Sequence, residues 1–139
     1  MAIRTEILTF LSEGGFYALN ITEQVRKTVR ESGIQEGIAF VFCRHTTGAV
    51  LVIEHEAGIV VDLEDVLERI TPQSADYTHH RRGYDRNGAA HVRTGLLNAS
   101  ATIPVLGNDL LLGTYQEILV VDMDPGRKTR EVVTQVMGE

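Results

Sequence analysis

Two short apolar runs, residues 38–42 and 49–53, flank the polar link Arg44-His45-Thr46-Thr47-Gly48. Both runs are rich in β-branched or aromatic side chains and too short for a typical helix, so residues 37–43 and 49–54 read as buried strands. The link between them is itself too short for a helix. Its side chains therefore stand at the ends of two core strands, where a rigid scaffold can hold functional groups in place.

A second polar concentration covers residues 77–98. It holds three of the five histidines, His79, His80 and His91, with Arg81, Arg82, Arg86 and Arg93 and two of the four tyrosines. Charged residues and glycine also cluster in loops for conformational reasons alone. The presence of the first cluster, Cys43 to Gly48, tips the reading toward a site.

The 139 residues suit one domain, residues 1–139, with a real hydrophobic core. A net charge of −6 argues against a general nucleic-acid binder, because phosphate-tracking proteins usually carry a basic surplus. The four arginines of residues 77–98 still give that stretch a local positive field suited to a small anion. Cys43 is the single cysteine, which excludes an internal disulfide and fits a reducing compartment. No apolar run is long enough to span a bilayer and the first residues lack a signal-peptide core, so the expectation is a cytoplasmic protein with no membrane partner.

Residues 3–10 alternate as a strand, and Ser12-Glu13-Gly14-Gly15 would turn the chain back into residues 16–19 as a hairpin. Asn20 with Glu23 resembles a capping box, and Ile21, Val25 and Val29 recur every four residues before Gly33, which marks a helix. Leu63, Val66, Leu67 and Ile70 give a second amphipathic helix, stopped by Thr71-Pro72. Residues 73–88 form a long loop. Residues 89–98 form a short third helix, with Val92 and Leu96 toward the core and His91 at its margin, able to face a cleft. Residues 101–105, 114–122 and 131–136 read as strands, with a turn at Asp124-Pro125-Gly126-Arg127. The order predicts an α+β fold: a mainly antiparallel, two-sheet, β-sandwich-like core with about three helices.

His45, His79 and His91 come from a strand end, a loop and a helix margin. Three imidazoles suit zinc and related ions and leave a position for water or substrate, but their spacing matches no zinc-finger or His-Glu-x-x-His pattern. Glu54, at a strand end, and Asp62, near the start of the second helix, are the carboxylates that could join them. Asp62 also suits a helix N-terminus on dipole grounds alone, and Glu54 a solvated strand end. Thr46, Thr47 and Gly48 could offer hydroxyls and N–H groups to a phosphate, or form an ordinary turn. His55 and His80 read as surface residues and Cys43 as a core residue.

In order along the chain, His45-Thr46-Thr47, Glu54, Asp62, Tyr77-x-His79, Asn87-Gly88-Ala89-Ala90-His91, residues 100–104, Leu112-Gly113-Thr114-Tyr115-Gln116 and Arg127 resemble the motif series of the YjbQ family. The resemblance covers nearly the whole chain. It implies a homotrimer of compact α+β subunits with a histidine site near a subunit boundary, and metal binding is among the implied properties. By it, His45, His79 and His91 match the family's histidines and are the metal-ligand set, and Glu54 and Asp62 match its acids. These five form the expected catalytic group. Thr46, Thr47, Arg82, Ser100, Gln116 and Arg127 are the expected substrate-binding residues. Two departures stand out: Tyr115 replaces the family's usual Trp, and Ala89 replaces a histidine that many members carry.

The activity implied by the resemblance is a secondary thiamine-phosphate synthase, which joins a pyrimidine diphosphate to a thiazole phosphate. The expected cofactors are a divalent metal, zinc or another, and Mg2+ accompanying the diphosphate. Metal-dependent hydrolysis of a phosphate ester, with Glu54 or Asp62 as base, is the alternative within enzymes. A module that binds a small anion or a metal without turnover is the alternative outside them.

Overall fold

A computed structural model describes residues 1–83 and 85–139; Tyr84, in the second polar stretch, lies outside the described residues. The chain runs β1 (Ala2–Ser12), β2 (Tyr17–Asn20), α1 (Thr22–Ser32), β3 (Glu36–Cys43), β4 (Gly48–Glu54) and α2 (Ala57–Ile70). A 3-10 turn (Thr78–Arg82) leads into α3 (Gly88–Leu96), β5 (Ser100–Leu106), β6 (Asp109–Leu110), β7 (Gln116–Asp122) and β8 (Lys128–Gly138). The strands form two antiparallel sheets, one ordered β1-β8-β3-β5-β6 and the other β2-β7-β4. The expected α+β, two-sheet architecture with three helices is what the chain adopts.

The main core fills the space between the sheets and α1. Alternate residues of β3 (Ala39, Val41, Cys43) and β8 (Val132, Val136) meet Val50 of β4, Ile118 and Val120 of β7, and Ile21, Val25 and Val29 along one side of α1. The opposite face of the three-stranded sheet is also covered: Ala49 and Val121 pack with Leu67 of α2 and Ala90 of α3. Two-sided burial explains why residues 49–53 read as a continuous apolar run and not as an alternating one.

The first two strands are not a hairpin. β1 pairs with β8 along its whole length, whereas β2 pairs with β7 in the other sheet. Gly14 and Gly15, both at positive φ, carry the chain across from one sheet to the other. A Cβ on Gly14 would come within 2.0 Å of the Gly126 carbonyl oxygen, so the crossover and the β7–β8 turn touch backbone to backbone.

Two helices show a different face from the expected one. In α2 only Leu67 is buried, with Leu63 partly so, while Val66 and Ile70 are exposed. In α3 the buried residues are Gly88, Ala89, Ala90 and Arg93, while Val92 and Leu96 face outward. Small residues let α3 approach the sheet closely. Arg93 is 1% exposed and its guanidinium bonds Thr71 Oγ1 at 2.9 Å, Thr71 O at 3.0 Å and Glu68 at 2.7 Å. It is a structural tie to the end of α2 and adds nothing to a surface field. Among the described residues, no helix is long and apolar enough to cross a membrane.

Candidate functional site

β3 belongs to one sheet and β4 to the other, so the link Arg44–Thr47 spans the mouth between them. The end of β7 closes this mouth, with the Met123 N–H donating to Thr47 O at 2.9 Å. The β7–β8 turn then brings in Asp124, Lys128 and Arg130, and the start of α3 brings in Asn87 and His91. These groups, with Asp85 and residues 44–47, line a polar cleft of about 360 Å³. A smaller hollow of about 190 Å³ between β1 and α1 is lined by Leu8, Ile21 and Val25 together with Glu6, Lys27 and Glu31.

Arg130 is the hub of the cleft wall, with a side chain only 11% exposed. Its Nη2 lies 3.3 Å from Asp122, 3.2 Å from Asp124 and 3.2 Å from the Thr47 hydroxyl. Its Nη1 lies 3.3 Å from His45 Nδ1, while the Glu131 N–H donates to His45 Nε2 at 2.9 Å. Burial, and then the adjacent Arg130 charge, hold the His45 pKa below its ordinary value, so this imidazole is neutral. Asp122 accepts from the buried Ser12 hydroxyl. Burial works against ionisation of Asp124, but hydrogen bonds from Lys128 and Asn87 and the charges of Lys128 and Arg130 outweigh it and lower its pKa. Asp124 is therefore a carboxylate, and Asn87 donates its amide N–H to it at 2.9 Å.

The second histidine centre lies on the facing wall. His91 Nδ1 is 3.1 Å from Thr46 O, an acceptor, so Nδ1 carries a hydrogen and, in the neutral ring, the lone pair is on Nε2. The His79 ring stacks at a tilt against His91, with centroids 4.6 Å apart, and His79 Nε2 is 3.4 Å from Asp85. His80 is buried, contrary to the surface position expected for it. Its Nε2 accepts the Gly88 N–H at 3.0 Å and so holds the start of α3. A Cβ at residue 88 would come within 2.9 Å of that nitrogen, which explains the glycine.

The structure thus brings His45, Thr46, Thr47 and His91 to the cleft and sets His79 behind His91. Glu54 is exposed at the opposite end of β4, paired with Gln116; seven residues of strand put it about 20 Å from the link. Asp62 is exposed in α2, past a first turn already capped by Glu56. Neither acid lines the cleft, so the base role expected for them is not available within one chain. Gln116 bonds the Gly113 N–H, Ser100 sits beside Phe42 at the start of β5, and Arg82 is exposed on the 3-10 turn. Arg127 pairs with Glu13 outside the cleft.

His45, His79 and His91 are not gathered into one ligand group within the described residues of this chain. Among the described residues no three His, Cys, Asp or Glu side chains are gathered as a ligand group. The reason at His45 is chemical, since one ring nitrogen takes a backbone N–H and the other faces a guanidinium. Asp85, Asn87, Asp124, Lys128 and Arg130 are the cleft residues to which sequence reasoning gave no role, and Arg44 was picked out only as part of the link. Lys128 and Arg130 lie on one face of β8, which begins three residues earlier than the strand expected at 131–136, while Arg127 stays in the turn and pairs with Glu13.

The profile of the family described as "UPF0047 protein YjbQ-like" matches residues 6–139. A UPF0047 protein of Methanothermobacter thermautotrophicus is 34% identical over 139 residues, covering 100% of this chain and 95% of its own. A crystal structure of a hypothetical protein from Aeropyrum pernix K1 superposes with a TM-score of 0.90 at 32% identity, covering 98% of this chain and 99% of that one. A YbjQ-like protein of unknown function from Sulfolobus solfataricus P2 gives a TM-score of 0.88 at 30% identity, over 99% of this chain and 100% of its own. With its fold and nearly its full length matched, the chain belongs to the YjbQ-like UPF0047 family.

Proposed function

We propose that the protein is an enzyme that takes a phosphorylated small molecule into the cleft between its sheets. The observation that carries this reading is the convergence of Arg44, Lys128 and Arg130 with the Thr46-Thr47 link in one cleft of about 360 Å³. That volume lies near the low end of the roughly 300–1,000 Å³ typical of ligand pockets. Such a wall of donors, with Arg130 held in place by Asp122 and Asp124, suits an oxyanion whose charge grows during reaction.

The reaction proposed is thiamine-phosphate formation, in which a thiazole nitrogen attacks the methylene carbon of a pyrimidine diphosphate. The N–C bond forms as the C–O bond breaks, and diphosphate leaves with the electron pair. The protein's part is to align the two substrates and hold the departing anion, which Lys128, Arg44 and Arg130 are placed to do. Mg2+ enters with the diphosphate. Purified protein given both substrates and Mg2+ should make thiamine phosphate above the background of a Lys128→Ala variant, and equal yields would sink this assignment.

A second reading, hydrolysis of a phosphate ester, is favoured by one feature: the neutral His91 ring has its lone pair on Nε2 while Thr46 O fixes it. That nitrogen can take a proton from an attacking water, with His79 beside it. Phosphate released from a single substrate distinguishes hydrolysis from coupling. Stoichiometric binding with no product over long incubation would instead make the protein an anion-binding module.

The expected homotrimer remains a proposal, supported by apolar side chains that one chain leaves uncovered. Ile3, Ile7 and Leu11 of β1 and Ile38 and Phe42 of β3 are exposed on the outer face of the five-stranded sheet. An antiparallel sheet that is apolar on both faces calls for a cover on each. A cytoplasmic location, with no nucleic-acid or membrane partner, completes the proposal.

A further inference from the structure

We propose that His45 and Arg130 form a metal-free oxyanion subsite, in which the His45 Nδ1–H and an N–H of Arg130 Nη1 converge on one phosphoryl oxygen of the ligand. This inference rests on the phosphorylated-ligand reading of the cleft and assigns a role within it. The Glu131 N–H, 2.9 Å from His45 Nε2, claims that nitrogen as an acceptor. A neutral imidazole has one acceptor nitrogen, so its hydrogen is on Nδ1. There it faces Arg130 Nη1 at 3.3 Å, a nitrogen that can only donate.

Two donors that face each other in a cleft wall need a common acceptor. The described residues supply none between them, because Asp122, Asp124 and Thr47 all engage Arg130 through Nη2. A phosphoryl oxygen fits, since it accepts from both and is negative beside a guanidinium. Lys128, half-exposed at the same cleft with one bond to Asp124, has further hydrogens for a second oxygen of the group. His45 is thus a donor to the anion, and the hydrogen on Nδ1 occupies the position a metal would need.

The test is calorimetric titration of inorganic phosphate and pyrophosphate into chelator-treated protein, with His45→Asn, His45→Phe and Lys128→Ala variants alongside. Phosphate should bind the metal-stripped wild type. His45→Phe should weaken it by about tenfold or more, and His45→Asn, whose amide nitrogen can stand where Nδ1 does, by no more than about threefold. Nitrogen NMR of the wild-type imidazole should show the Nδ1–H form and a shift at Nδ1 on adding phosphate. An Nε2–H form, or phosphate binding that requires added Zn2+, would overturn the proposal without recourse to any variant. Binding that survives His45→Phe but is lost in Lys128→Ala would overturn the subsite and leave the phosphorylated-ligand reading intact. Failure of the wild type to bind either anion would overturn both.

Discussion

His80 Nε2 accepts the Gly88 N–H across 3.0 Å, so the 3-10 turn ahead of α3 supplies the acceptor for that helix's first N–H. Both groups are buried. Replacing His80 with Ala leaves a sealed donor without a partner, which costs about 1–3 kcal/mol. Urea denaturation should show that loss. A change under about 0.5 kcal/mol, the size of an ordinary surface substitution, would mean that the bond contributes little.

Arg93 and Glu68 should respond unequally to mutation. Glu68→Ala takes the carboxylate from a guanidinium that is 1% exposed and leaves it with its two Thr71 bonds, and losing a hydrogen bond to a charged group costs about 1.5–3 kcal/mol. Arg93→Met leaves a carboxylate that is half-exposed and can turn to water. The prediction is that Glu68→Ala is the more damaging and that adding Arg93→Met to it recovers stability. A double variant weaker than Glu68→Ala alone would contradict this.

Ile7→Lys should leave the fold intact and break the assembly. Ile7 is 53% exposed on a sheet face that one chain does not cover, so a charge there does little harm within the subunit. Light scattering at micromolar concentration should show a trimer for the wild type and a smaller species for the variant, with unchanged circular dichroism. A wild-type monomer would end the trimer proposal.

Acid should erode stability partly through Asp124. Its folded pKa lies below the ordinary 3.8, so on acidification the unfolded chain takes up the proton first. The carboxylate's contribution is complete above about 3.8 and is lost as the pH falls through the lowered folded value. Denaturation midpoints followed from about pH 5 down to about pH 2 should fall less steeply in Asp124→Asn than in the wild type.

His45 acts at higher pH with the same sign. Its folded pKa is below 6.5, so its neutral form stabilises the fold fully above 6.5 and that contribution is lost as the pH drops through the folded value. The C2 proton of His45 should titrate with a midpoint below 6.5, and a midpoint at or above it would contradict the donor environment described.

The sequence shows α1 plainly, because Ile21, Val25 and Val29 mark one face and all three are buried. It marks the apolar faces of α2 and α3 as well, but periodicity cannot say what covers a face. Val66, Ile70, Val92 and Leu96 stay outside. The burial of Arg93 was illegible because it depends on Thr71 and Glu68 arriving from another helix end. The false hairpin has a similar cause: Gly14-Gly15 looks like a local turn, while the partners of β1 and β2 lie about a hundred residues or more away. At the site, His45 and His91 were visible as residue types in polar clusters. Lys128 and Arg130 fell between the expected turn at 124–127 and the expected strand at 131–136, and the pairing of β8 beside β3 carries them to His45.

The position of β8 also bears on how a new chain reaches its native state. This strand is made after all the others described, yet it lies between β1 and β3 and pairs with both. Until it emerges, two strand edges wait open, and the pairing of Ala2 with Gly138 closes one of the longest loops the chain allows. Folding dominated by such distant pairings is slow and leaves edges open to aggregation. The cleft acquires Lys128 and Arg130 in the same event that completes the sheet, so anion-binding capacity should rise together with global structure during refolding and never ahead of it.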